Sequence, residues 1–169
     1  MTSLERIRAH PYAVSGYAVT FNQVSVRAGG RELTAPGAFA RALVLNRGWY
    51  LLLNHVVDGR PSLASMATGT LHVEEDSYGL WFDAQLPDDR VGARLFDAVC
   101  RREICHVSTA TWGPTCEAHT LPDGLLVFTG VPAAWEISLL APPQQPALVG
   151  TWVQANGAAR RERCQRTAA

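Results

Sequence analysis

The 169-residue chain contains no lysine: all 15 basic residues are arginine, set against 15 Asp and Glu, so the formal charge at pH 7 is zero. No physical requirement strips lysine from every surface position, and the pattern reads as coding bias in a GC-rich genome. The charge balance excludes the broad basic footprint of a protein whose main partner is nucleic acid or an anionic membrane. Long hydrophobic runs are missing as well, and nothing approaches the ~18 consecutive apolar residues needed to span a bilayer. The opening MTSLERIRAH is polar and lacks the apolar core of a secretory signal. Cysteine is scarce. Cys100, Cys105, Cys116 and Cys164 form no CxxC pair and no regular framework, so reduced thiols are expected rather than a disulfide scaffold. What is present is ordinary for a globular domain, 47% hydrophobic and 18% charged residues. A chain of this length buries about 70% of its unfolded surface and needs neither metal nor staples to fold. The expectation is one soluble, cytosolic domain that is not secreted.

The patterning points to an α+β domain, mainly β, with about six to eight strands and two helices. Residues 12–21 (YAVSGYAVTF) read as a strand broken at Gly16, and Gly29-Gly30 suits a turn with positive φ. Pro36 opens a helix in which Phe39, Leu43 and Val44 share a face. The short apolar segment 49–53 leads into Asn54-His55 and then into a loop over 56–66. Strands over 67–74 and 78–86 flank a three-residue polar connector, and Leu80, Phe82 and Ala84 alternate with Trp81, Asp83 and Gln85. Asp88 or Asp89 caps a helix whose Val91, Leu95, Phe96 and Val99 share a face. Further strands fall at 104–112, 125–131 and 133–140 before APPQQPA ends regular structure. Arg160, Arg161, Arg163 and Arg166 make a basic, frayed C-terminal end.

Several residues could carry chemistry. Among five histidines, His55 sits where a rigid apolar segment gives way to a loop, a position from which a base can be presented to solvent. A strand-end histidine bonded to backbone has the same signature. Cys105, His106, Cys116 and His119 supply four metal-type donors within fifteen residues, but adjacent Cys105 and His106 point to opposite faces of a strand. There is no GxSxG motif, and Ser62 and Ser65 lie in a loop without flanking glycines. Ser108 shares a strand face with His106, at about 7 Å between Cα atoms. Glu136 interrupts the apolar strand AAWEISLL; it either faces outward or is buried beside a histidine that it orients.

In order, GYAVTFNQVS, GGRELTAPGAFARAL, LLLNH, TGTLHVEEDSYGLWFDAQLPD, the strand carrying Ser108, and WEISLLAPP resemble the prohead proteases of tailed bacteriophages. The similarity runs over residues 12–147, leaving 1–11 as an N-terminal extension and 148–169 as a C-terminal tail. It implies a serine endopeptidase with a compact β-barrel core and surrounding helices, similar to the herpesvirus assembly proteases. Carried over by position, His55 is the family histidine, Ser108 the serine and Glu136 the acidic residue. The substrates implied are scaffolding protein, the scaffold-like segment of the major capsid protein, and the protease itself. They would be cut inside the assembling prohead in the bacterial cytoplasm, without cofactor, metal, nucleic acid or membrane, and possible homodimer formation follows from the herpesvirus likeness. Family members often show S-x-G-F at the nucleophile, whereas this chain has Ser108-Thr109-Ala110-Thr111-Trp112-Gly113. A catalytically inactive assembly component with the same fold is therefore an alternative, and a zinc-binding β-domain a further one.

Overall fold

The computed structural model describes residues 1–27, 29–45, 48–58, 61–110, 116–132 and 134–156. The elements run α1 (Ser3–Ala9), β1 (Ala13–Thr20), β2 (Ser25–Arg27), β3 (Gly30–Thr34), α2 (Ala40–Leu45) and β4 (Tyr50–Leu53). Next come β5 (Ala64–Ser65), β6 (Leu71–Glu75), β7 (Gly79–Gln85), α3 (Arg90–Cys100) and β8 (His106–Ala110). The chain continues through β9 (Glu117–Thr120), β10 (Leu126–Gly130), β11 (Glu136–Leu140) and β12 (Trp152–Ala155). The arginine-rich end and Cys164 lie outside the described residues.

The domain is mainly β, as expected, but the twelve strands among the described residues exceed the six to eight anticipated and pair into three four-stranded sheets. Their orders are β12-β1-β7-β6, β2-β3-β10-β9 and β5-β4-β11-β8, and no closed barrel forms among the described residues. The extra strands are those with weak sequence signals: β9 is exposed throughout, and β5 is two residues long.

Local rules account for the elements that frame the site. Asp89 caps α3, its side chain accepting from the backbone of Val91 (2.8 Å) and Gly92 (2.9 Å). Phe96 and Val99 then turn into the core. Thr2 and Glu5 form a capping box for α1. Its Ile7 is buried, and Arg8 grips buried Asp83 of β7 through two hydrogen bonds of 3.1 and 2.8 Å. Residues 3–9 are thereby docked onto the sheet. The strand expected to break at Gly16 is continuous, because Gly16 pairs with Val153 of β12 on one side and Phe82 of β7 on the other.

The third sheet positions the site. β11 is flanked by β4, in parallel, and by β8, antiparallel, and all five of its residues are buried. Alternation divides its two faces. Ile137 and Leu139, with Leu51 and Val107 beside them, enter the hydrophobic core that also holds Val14, Phe82 and Phe96. Glu136 and Ser138 turn the other way, opposite Ala110 and Ser108 of β8. Core burial on one face thus forces two polar side chains to share the other.

Gly16 also provides a test of how β12 is held. A Cβ at this position would lie 1.9 Å from the Trp152 carbonyl oxygen. Gly16→Ala should cost about 1–3 kcal/mol of overpacking and lower Tm by roughly 2–4 °C for each kcal/mol. Amide protection should be lost first in β12. Thermal melts and hydrogen exchange check this, and an unchanged Tm with unchanged β12 protection would refute the close approach.

Candidate active site

At the end of β4 the chain takes two successive left-handed residues, Asn54 (φ 54°) and His55 (φ 59°). Such conformations are uncommon outside glycine and need support from their surroundings. Here three hydrogen bonds provide it. Asn54 donates its backbone N–H to the Leu139 carbonyl (2.9 Å), and its side-chain oxygen accepts from the Ala141 N–H (2.8 Å). The His55 N–H donates to Ser138 Oγ (2.9 Å). The turn folds the imidazole back over β11, where His55 Nδ1 lies 2.9 Å from Glu136 Oε2.

Glu136 is buried, so both of its oxygens need donors. Oε2 takes the His55 ring, and Oε1 takes the hydroxyl of Ser138. Ser138, itself fully buried, therefore links the carboxylate to the backbone of the histidine turn. Because the carboxylate is an acceptor, Nδ1 carries the hydrogen of the neutral ring and Nε2 keeps the lone pair. The exposures are asymmetric: 39% for the imidazole against 4% for the carboxylate. The ring is open to solvent while its partner is sealed.

This arrangement biases the histidine toward its charged form. The hydrogen bond to Glu136 raises the His55 pKa above the usual 6.5, partial burial opposes it, and the attraction of the carboxylate adds to the rise. Burial and the same carboxylate push the Tyr50 phenol upward, so it remains protonated near neutral pH.

Ser108, buried and on β8 directly opposite Ser138, lines the same cleft as His55 and Glu136. The cleft measures about 730 Å³ and is completed by Tyr50, Val57, Thr109, Ala110, Trp135, Gln145 and Ala147. The three residues singled out from the sequence line one cleft, and Glu136 is buried beside the histidine rather than facing outward. Thr111, Trp112 and Gly113, which follow the serine strand, lie outside the described residues.

Other candidates disperse. No group of three or more His, Cys, Asp or Glu side chains suited to a metal occurs among the described residues, so Cys105, His106, Cys116 and His119 do not assemble into a zinc site. His106 Nδ1 donates to the Thr151 carbonyl (2.9 Å), and His106 does not line the cleft. Ser65 is occupied with Thr68 in a turn. The residues that sequence reading missed are Ser138 and Asn54. Ser138 carries the signal of its two-residue spacing from Glu136, which places both on one strand face. Asn54 carries that of its residue type, since asparagine tolerates the left-handed region at a strand end.

A family model described as caudovirus prohead serine protease matches residues 3–157, a span wider than the segment carrying the motifs. Comparison with the curated proteins found no match.

The His55–Glu136 pair makes a prediction about pH. Because the folded-state pKa of His55 is raised, the pair contributes stability that is fully present below 6.5 and is lost as the pH climbs through the raised value. An NMR titration of the histidine ring signals should show a His55 midpoint above 6.5, and Glu136→Gln should bring it down. A wild-type midpoint at or below 6.5 would show that the pair does not form in solution.

Proposed function

The chain belongs to the caudovirus prohead serine protease family, and on that footing we propose that it matures capsids with Ser108 as nucleophile, His55 as general base and acid, and Glu136 as the orienting carboxylate. The observation that carries this reading is the 2.9 Å bond from His55 Nδ1 to a sealed carboxylate, with Ser108 in the same cleft. A serine hydroxyl is a weak nucleophile until a neighbouring base removes its proton. With Nδ1–H committed to Glu136, the lone pair on Nε2 is the one available to Ser108 Oγ–H.

The steps follow from that tautomer. Ser108 Oγ attacks the scissile carbonyl as its proton passes to His55, and the imidazolium is stabilised by Glu136. The proton then goes to the leaving amine as the C–N bond breaks, leaving an ester on Ser108. Water, deprotonated by His55, hydrolyses the ester and restores the serine. Ser138 is a positioning residue in this scheme. Its hydroxyl holds one carboxylate oxygen and the backbone of the histidine turn, so the other oxygen meets the ring.

The substrates we propose are a scaffolding protein or the scaffold-like segment of the major capsid protein, and the protease itself. The reaction belongs inside the assembling prohead in the host cytoplasm. No helix among the described residues is long and apolar enough to cross a membrane.

Co-expression with the cognate capsid or scaffolding protein, followed by mass spectrometry of the products, tests the assignment. Ser108→Ala and His55→Ala should each lose about 10⁶ in turnover, and Glu136→Ala about 10⁴. Ser138→Ala should lower kcat by roughly 10- to 100-fold with little change in KM, the effect of removing a buried hydrogen bond to a charged group. Cleavage that persists in Ser108→Ala would overturn the nucleophile. A serine-directed fluorophosphonate should label the wild type at Ser108 and fail to label His55→Ala; a wild type that is neither labelled nor active would favour an inactive assembly component.

A further inference from the structure

The cleft beside Ser108 has a chemical character of its own. Apart from Glu136 and His55, its described lining carries no charged side chain: Tyr50, Val57, Ala110, Trp135 and Ala147 are apolar or aromatic, and Thr109 and Gln145 are neutral. Tyr50 and Trp135 form one wall, with ring centroids 5.5 Å apart and planes nearly perpendicular. Trp135 stays 37% exposed and Val57 80% exposed, so apolar surface is open to solvent at the place where a substrate must enter.

The wall is rigid relative to the reacting groups. The Tyr50 N–H donates to the Trp135 carbonyl (3.1 Å), and Tyr50 is the register partner of Glu136. Trp135 immediately precedes Glu136, and β4, which begins at Tyr50, runs into the His55 turn. Tyr50 therefore opens the strand that leads to the proposed base, and Trp135 adjoins the first residue of the strand that carries the proposed acid. A side chain packed against them is held in a fixed relation to the scissile bond.

Glu136 cannot relieve the cleft's lack of charge. Its two oxygens are taken by His55 and Ser138 and it is sealed from solvent, so a basic side chain of the substrate would find no free carboxylate there. An acidic one would be repelled by Glu136. An acidic side chain could pair only with a protonated His55, the form that cannot act as base, so in the reactive state either charge would lose hydration on entry without gaining a partner. An aliphatic or aromatic side chain loses nothing polar and covers the exposed face of Trp135.

Building on the reading of Ser108 as nucleophile, we propose that the Tyr50–Trp135 wall is a specificity subsite that selects bonds flanked by an uncharged, apolar residue, such as Leu, Met or Phe, in the protein substrate. Segments bearing such residues are ordinarily buried once folded. The subsite would thus favour stretches of scaffold or capsid protein that remain extended in the immature particle.

The test uses the full chain and a mixture of synthetic decapeptides of balanced composition, with cleaved bonds read by mass spectrometry. Wild-type cleavage should be enriched for Leu, Met or Phe at one position flanking the bond and depleted there for Asp, Glu, Lys and Arg, by about 10- to 100-fold. Trp135→Ala should flatten that preference and raise KM for an apolar peptide about tenfold, with a much smaller change in kcat, and Trp135→Phe should restore most of it. In parallel, catalytically disarmed Ser108→Ala should bind a labelled Leu-containing peptide about tenfold more tightly than its Asp or Arg counterpart. This arm still decides the matter if Trp135→Ala fails to fold. Equal acceptance of charged residues by the wild type, or a preference untouched in a folded Trp135→Ala, would overturn the subsite while leaving the protease reading intact. Cleavage that does not depend on Ser108 would overturn the reading on which the subsite rests.

Discussion

A carboxylate buried in an apolar strand has to be satisfied where it sits, and much of the site follows from how this chain satisfies Glu136. Its neighbours along β11 point into the core, so it cannot escape to solvent without dismantling the sheet. One oxygen is met by Ser138, two residues away on the same face, and the other by His55, brought back from the end of β4. The histidine turn is held by Ser138 as well. Carboxylate, hydroxyl and imidazole form a closed set in which loss of any member leaves a buried polar group unpaired.

The same device recurs in the first sheet with a structural result. Asp83, buried on β7, collects Arg8 from α1 and the indole N–H of Trp81 (2.7 Å). It also receives the Asn156 side-chain amide (3.5 Å), and Asn156 is tied in turn to Ser15 of β1 (2.8 Å). One buried acid thus fastens both ends of the described chain to the first sheet. The two acids differ in what the partner exposes. Arg8 is permanently charged and serves only to close the network, whereas His55 presents a titratable ring to an open cleft. The second arrangement is the one the proposed chemistry uses.

Much of the framework was legible because it depends on near neighbours. The β6–β7 hairpin, the Asp89 cap and the apolar segment of β4 are written in alternation, a capping aspartate and a short hydrophobic run. Strand β9 was not legible, since all four of its residues are exposed and its reason to be a strand is its pairing with β10. Strand β12 follows a proline-rich connector and gains its place from β1, across more than a hundred residues. The α1 helix did have a local signal, the Thr2–Glu5 capping box, which a reading centred on hydrophobic periodicity passes over. The continuity of β1 through Gly16 depended on what lies beside it, and strand pairing decided against the expected break.

The chain's own order of residues determined the kinds of groups available: an imidazole at a strand end, a serine in a second strand, an acid interrupting a third, and motifs in sequence between them. Those are properties of short segments, governed by periodicity and residue type. Which groups meet was decided only by folding. Position 136 lies 81 residues beyond His55, and nothing local distinguishes a strand carboxylate facing water from one facing a histidine. That choice is made by the parallel pairing of β4 with β11, because register sets which side chains share a face, and a shift of one residue would have turned Glu136 into the core and away from the ring.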